Sequence, residues 1–164
     1  MANLFSFKKE ATQEAAKPAP GTSIFYDRGL IPKLVSDHQT MLGMYNQILA
    51  AVSAQNPALV KQKLGEFRGA LQEHLLTENV KLYIYLTKQL ADDEINAQII
   101  GEFRHEMNGI AQVVMAFVRR YTDTELNAVS LIAMKKELEE IGAALVKRIQ
   151  REENTLYPLY RPSY

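Results

Sequence analysis

Four runs of this chain repeat apolar residues every three or four positions, and each is bounded by helix start or stop signals. Such a chain is constrained to fold as helices that each bury one face. In the first run, Ile31, Leu34, Val35, His38, Met41, Leu42, Tyr45, Ile48, Leu49 and Val52 share a stripe, and Pro32 suits a first helical turn. Asn56-Pro57 reads as an N-cap followed by a first-turn proline, opening a second helix to about Leu90 with the stripe Leu64, Phe67, Leu71, His74, Leu75, Glu78, Leu82 and Tyr85. A third helix is expected from Asp92 or Asp93 to about Tyr121, its stripe being Ile99, Phe103, Ile110, Val113, Val114 and Phe117, with Glu106 on it. The fourth is expected to be capped around Thr122 to Thr124 and to stop at Pro158, with Leu131, Met134, Leu138, Ile141, Leu145, Arg148, Ile149, Glu152 and Leu156 inward. No run alternates with the period of a strand. The predicted fold is all-α, an up-down-up-down four-helix bundle over residues 24–164.

These stripes are not purely apolar. His38, His74, Glu78, Glu106, Arg148 and Glu152 interrupt them, and His74 and Glu78 lie four residues apart, one turn along a single face. Helical bundles build metal sites in this way, from imidazoles and carboxylates on facing helices. The chain has no cysteine, which excludes disulfides, thiolate zinc sites and cysteine nucleophiles, and leaves a His and carboxylate donor set suited to iron, manganese or zinc. His105, the third histidine of three, sits about 100° round its helix from Glu106 and shares a face with Gly101, Gly109 and Gln112. Either His105 or Glu106 therefore faces the interior. Glu102, one turn before Glu106, reads as a core-edge residue. Tyr45 and Tyr85 read as core filling, and Tyr157, Tyr160 and Tyr164 as packing at the bundle end or as partner anchors.

The 19 basic and 19 acidic residues balance, so a nucleic-acid partner is not expected. Residues 1–23, which end in Lys17-Pro18-Ala19-Pro20-Gly21, read as a flexible tail without the apolar run of a signal peptide or membrane span. The expectation is a cytoplasmic protein with no membrane contact. No Ser-His-Asp arrangement, P-loop or dinucleotide fingerprint points to an enzyme class, and whether the chain catalyses a reaction stays open.

Several of these residues form a pattern that resembles the hemerythrin-like family of HHE cation-binding domains, over roughly Ile24 to Tyr160. Asp37-His38 matches its first helix, and His74, Glu78 and Leu82-Tyr83 match its second. The segment Arg148-Ile149-Gln150-Arg151-Glu152-Glu153-Asn154-Thr155-Leu156-Tyr157-Pro158-Leu159 matches a fourth helix that in the family reads His-x-x-x-Glu-Glu before Leu-Phe-Pro-Leu. The resemblance implies non-heme iron. Histidines cap two ions, inward glutamates bridge them, and dioxygen, peroxide or nitric oxide is the ligand.

The departures from that pattern are specific. Arg148 stands where the family carries a histidine, and the third-helix histidine is either displaced to His105 or replaced by Glu106. A guanidinium stays protonated and has no lone pair for a metal. One iron, or none, is therefore expected rather than two, with Arg148 paired to inward carboxylates. Glu152 serves either as bridging ligand or as counter-ion of Arg148.

A shorter match, in Phe67-x-x-x-Leu71, Tyr83 and Ile141-Gly142-x-Ala144-Leu145-x-x-Arg148-x-x-x-Glu152, is similar to the regulator-of-sigma-D family of anti-sigma factors. It implies a metal-free interaction protein whose partner is a sigma factor or other regulator. The two functional expectations are thus a sensor, store or detoxifier built on His38, His74, Glu78, His105, Glu106 and Glu152, and a partner-binding bundle.

Overall fold

The computed structural model describes residues 16–164. Four long helices account for most of them: α1, Leu30–Ser53; α2, Pro57–Thr77, extended by a π-helical turn Glu78–Tyr83 and the segment Ile84–Gln89; α3, Glu94–Asp123; and α4, Ala128–Arg151, extended by a second π-helical turn Glu152–Leu156 and a 3-10 turn Tyr157–Leu159. Consecutive helices pack against each other and α4 returns to α1, closing a four-helix bundle with no strand among the described residues.

Local chemistry sets the corners. The Asn56 side chain accepts from the Leu59 amide with Pro57 at the first helical position, and Gln55 takes a left-handed φ of 50° in the tight turn from α1. The Asp93 carboxylate accepts from the Asn96 amide to start α3. Helix α4 begins later than the sequence suggests. Asn127 caps it in a capping box with Ser130, while Thr124 bonds back to the Arg120 carbonyl and ends α3. The apolar stripe of α3 continues to buried Tyr121, and Leu126 is buried in the connection, so the polar run Thr122–Thr124 closes one helix rather than opening the next.

The buried apolar residues fall into two clusters. One holds Met41, Leu64, Leu71, Phe117, Met134 and Leu145; the other holds Leu34, Leu82, Phe103, Leu156 and Tyr160. Along α1, α2 and α4 the chain passes from one cluster to the other through buried polar residues: His38 on α1, His74 and Glu78 on α2, Arg148 and Glu152 on α4. These five are the buried polar and charged side chains of the described residues, and they form a polar layer across the middle of the bundle.

On α3 the stripe is rotated from the expected one. Ile100, Phe103, Met107, Val114, Phe117, Val118 and Tyr121 are buried, whereas Val113 is 61% exposed. Of the expected tail, residues 1–15 lie outside the described residues. Its remainder is tied to the bundle end: the Lys17 amide donates to the Ser163 carbonyl, Ala19 is buried, and the Thr22 hydroxyl donates to the Ala19 carbonyl.

Candidate metal centre

The i, i+4 pairs of α2 and α4 meet the histidine of α1 in the polar layer. His38, His74, Glu78 and Glu152 each offer a donor atom, and all four atoms lie within 4.8 Å of one another, every residue being buried. His38 Nε2 is 3.1 Å from Glu152 Oε2, and His74 Nε2 is 3.7 Å from Glu78 Oε2. The outer nitrogens face a second carboxylate each: His38 Nδ1 is 2.8 Å from Glu153 Oε1, and His74 Nδ1 is 3.6 Å from Asp37 Oδ2. Metal-binding histidines are oriented in this manner, with the far ring nitrogen turned to a carboxylate.

Both glutamates stand at the first residue of a π-helical turn. A π-helical turn holds more residues than an α-helical one, so the fifth residue after each glutamate is carried back toward its face: Tyr83 after Glu78 and Tyr157 after Glu152 are both buried. The tyrosines lie five residues beyond their glutamates, so the ends of α2 and α4 echo each other, Glu78 and Tyr83 matching Glu152 and Tyr157. Tyr157 donates its hydroxyl to Glu78 Oε1 at 2.9 Å, and the same oxygen is 3.2 Å from His38 Nε2.

The other half of the layer is closed by a cation of the protein itself. Arg148 donates through Nε to Glu152 Oε1 at 2.6 Å, through Nη1 to Glu106 Oε2 at 3.1 Å and through Nη2 to the Tyr83 hydroxyl at 3.0 Å. Its guanidinium lies 4.6 Å from the Phe103 ring centroid. Arg151 also pairs with Glu106. Glu106 is therefore brought to the edge of the layer as a partner of arginines and lies outside the four-residue group. His105 is exposed on the outer face of α3 and is not brought to the site. The rotation of α3 that buries Met107 turns His105 to solvent.

Burial and charge divide the carboxylates. Burial and the neighbouring Glu152 charge push Glu78 up to about 8. Burial also works upward on Glu152, but its bonds to His38 and Arg148 outweigh that and hold it below the ordinary glutamate range. His74 is pushed down to about 4 by burial and by the charge of His38. Burial works downward on His38 too, yet its bonds to Glu152 and Glu153 prevail and hold it above the ordinary histidine value. At neutral pH the layer thus holds a neutral His74, a protonated Glu78 and an ionised Glu152.

A metal ion suits this arrangement. Glu78 Oε2, which faces His74 Nε2, is buried without a hydrogen-bond partner, and this is costly for a group removed from water. Two imidazoles and two carboxylates match the donor chemistry of iron, manganese or zinc.

The model of the hemerythrin HHE cation-binding domain family matches residues 29–160. The chain belongs to this family. No curated protein and no solved structure matches it. Within the family frame, the distinctive feature of this hemerythrin-like chain is that Arg148 fills one side of the polar layer while the other side keeps two histidines and two carboxylates.

Sequence reasoning missed Tyr157, Tyr83, Glu153 and the outer role of Asp37. Tyr157 and Tyr83 were visible as aromatics five residues after each inward glutamate, but an α-helical wheel sets the fifth residue about 140° round from the glutamate. Tyr45 and Tyr85 donate to the Leu138 and Arg161 carbonyls, away from the cluster.

Proposed function

We propose that this protein is a single-metal hemerythrin-like domain, holding one iron ion between His38, His74, Glu78 and Glu152. One observation carries the reading: four donor atoms gather within 4.8 Å in the core, while Arg148 fills the place of a second cation. A guanidinium hydrogen-bonded to Glu152, Glu106 and Tyr83 leaves no donor set for another metal on that side.

The ion would be anchored by neutral imidazoles and ionised carboxylates, with Glu153 and Asp37 orienting the rings. Bound there, iron supplies a centre for dioxygen, peroxide or nitric oxide, and the protein's role is sensing, storing or detoxifying with that centre. A narrow cavity of about 30 Å³, lined by Met41, Phe67, Leu71 and Leu145, abuts His38, His74 and Glu152. It offers a small apolar ligand a place beside the ion.

The experiment is elemental analysis of protein purified without chelator, with absorption spectra during anaerobic ferrous titration. Saturation at one ion per chain supports the reading. Two ions per chain, with oxo-bridge absorption once air is admitted, overturn the single-site assignment, and no binding of iron, manganese or zinc overturns the metal function altogether.

A second reading, a metal-free interaction bundle acting on a transcription regulator such as a sigma factor, is favoured by one observation. The contacts His38–Glu152, His38–Glu153, Tyr157–Glu78 and Arg148–Glu152 hold most of the layer's polar atoms without an ion. Absence of metal binding, together with an intact fold, supports that alternative.

A further inference from the structure

We infer that Tyr157 is a phenolate ligand of the ion, a fifth protein donor beside His38, His74, Glu78 and Glu152. The inference rests on the single-metal reading above, and two features of the polar layer support it.

The first is spacing. Donors about 2.1 Å from one ion and at right angles to each other stand about 3.0 Å apart. The Tyr157 oxygen lies 2.9 Å from Glu78 Oε1 and 3.2 Å from His38 Nε2, much as His38 Nε2 lies 3.1 Å from Glu152 Oε2. Tyr157 is 3% exposed, so its oxygen has the interior of the site to face and not solvent.

The second is the internal echo of the two halves. His74, Glu78 and Tyr83 on α2 correspond, at equal intervals, to Arg148, Glu152 and Tyr157 on α4. Each tyrosine crosses to the opposite helix's half of the layer. Tyr83 turns its oxygen to the cation of one half, accepting from Arg148 Nη2 at 3.0 Å. Tyr157 holds the corresponding place in the other half, where the two histidines and Glu78 converge. There the cation is the metal, and the tyrosine oxygen is again its partner. On ligation the O–H bond breaks, the oxygen pair binds the ion and the proton leaves to solvent.

A ferric phenolate has a visible charge-transfer band that imidazole and carboxylate ligands do not give. The full chain is loaded with one equivalent of ferric ion from ferric citrate, washed free of excess, and bound iron is counted by elemental analysis. The expected result is a coloured wild-type protein with phenolate modes in resonance Raman. The band is lost in Tyr157→Phe and retained in Tyr83→Phe, while bound iron and helical circular dichroism persist in both variants. Bound iron without the band in the wild-type protein overturns the Tyr157 assignment and leaves the single-metal reading standing. A band that survives in Tyr157→Phe assigns it to another tyrosine and overturns the inference as well. No bound iron in the wild type overturns the metal reading and this inference with it. If Tyr157→Phe fails to fold, Tyr83→Phe decides: a band retained there leaves the Tyr157 oxygen as the phenolate at the site, and a band lost there overturns the inference.

Discussion

Arg148 and Glu152 form an ion pair of 2.6 Å, one turn apart on α4, with both side chains 2% exposed. Its geometry makes α4 self-neutralising. The guanidinium holds one oxygen of Glu152, and the other oxygen faces His38 at 3.1 Å. One carboxylate therefore joins a fixed organic cation to the place where a metal cation is proposed. The same residue serves as counter-ion and as candidate ligand, the two roles that the sequence left open.

Removing the arginine should be severe. Arg148→Ala strands Glu152 and leaves Glu106 without one of its two arginines, and breaking a buried pair typically costs about 3–5 kcal/mol. The expected outcome is a strongly lowered melting temperature in the absence of metal. Arg148→His restores a family-type ligand and should recover stability when iron is supplied, since a ligand that binds only the folded state stabilises it by mass action. Unchanged melting in both variants would show that the pair contributes nothing.

His74→Ala should reduce bound metal strongly, and His105→Ala should leave it unchanged. His74 is 3% exposed within the donor group, whereas His105 is exposed on the outer face of α3. Elemental analysis of the two purified variants makes the comparison, and equal losses would place His105 in the site.

Metal binding should release protons. Near neutral pH Glu78, pushed up to about 8, is protonated, and His38 is held above its ordinary value. Glu78 must lose its proton to ligate, and the raised His38 must be neutral to do so. Release of at least about one proton per ferrous ion is expected at pH 7, with affinity rising as pH increases toward 8. Calorimetry in buffers of different ionisation enthalpy measures the number, and binding without proton release would contradict the assignment of Glu78.

The apo protein should show the opposite dependence through Glu78. Its folded-state value is raised, so the associated stability is fully present below the ordinary glutamate range and is lost as pH rises through about 8. Glu78→Gln removes the charge, and should stabilise the metal-free protein more at pH 8 than at pH 5, by more than about 1 kcal/mol, or about 2–4 °C in melting temperature. The same change should abolish tight metal binding. Thermal melts at both pH values check it, and an equal effect at the two would refute it. His74 runs the other way. Its lowered value contributes stability above its ordinary range that is lost as pH falls toward about 4, so His74→Ala should flatten the acid limb of the melting curve.

Gly142→Ala should disturb the α1–α4 contact. A Cβ at that position would stand 2.2 Å from the Tyr45 hydroxyl, which donates to the Leu138 carbonyl at 3.1 Å. Overpacking of this kind typically costs about 1–3 kcal/mol. Tyr45→Leu in the same chain should recover most of the loss, and chemical denaturation of the single and double variants measures it.

The helices, their inward faces on α1, α2 and α4, and the presence of His38, His74, Glu78, Arg148 and Glu152 on those faces follow from the spacing of apolar residues. A helix must bury its stripe, and any polar residue caught in it is buried too. Local caps such as Asn56 and Asp93 are equally readable, because their hydrogen bonds involve neighbours in the chain. The start of α4 was not, since Thr124 and Asn127 are both competent polar residues, and burial of Tyr121 and Leu126 chose between them.

The rotation of α3, which turns His105 outward and delivers Glu106 to Arg148 and Arg151, depends on how that helix seats Phe103 and Met107 against its neighbours. Nor does periodicity reveal the two π-helical turns. They insert a residue into the helical register, and only the packed core shows both Leu156 and Tyr157 facing inward. Sequence by itself thus determined which residues enter the polar layer on three helices. Tertiary structure alone decided which atoms meet there, because meeting depends on the relative rotation and register of separate helices, and no local interaction along the chain sets these.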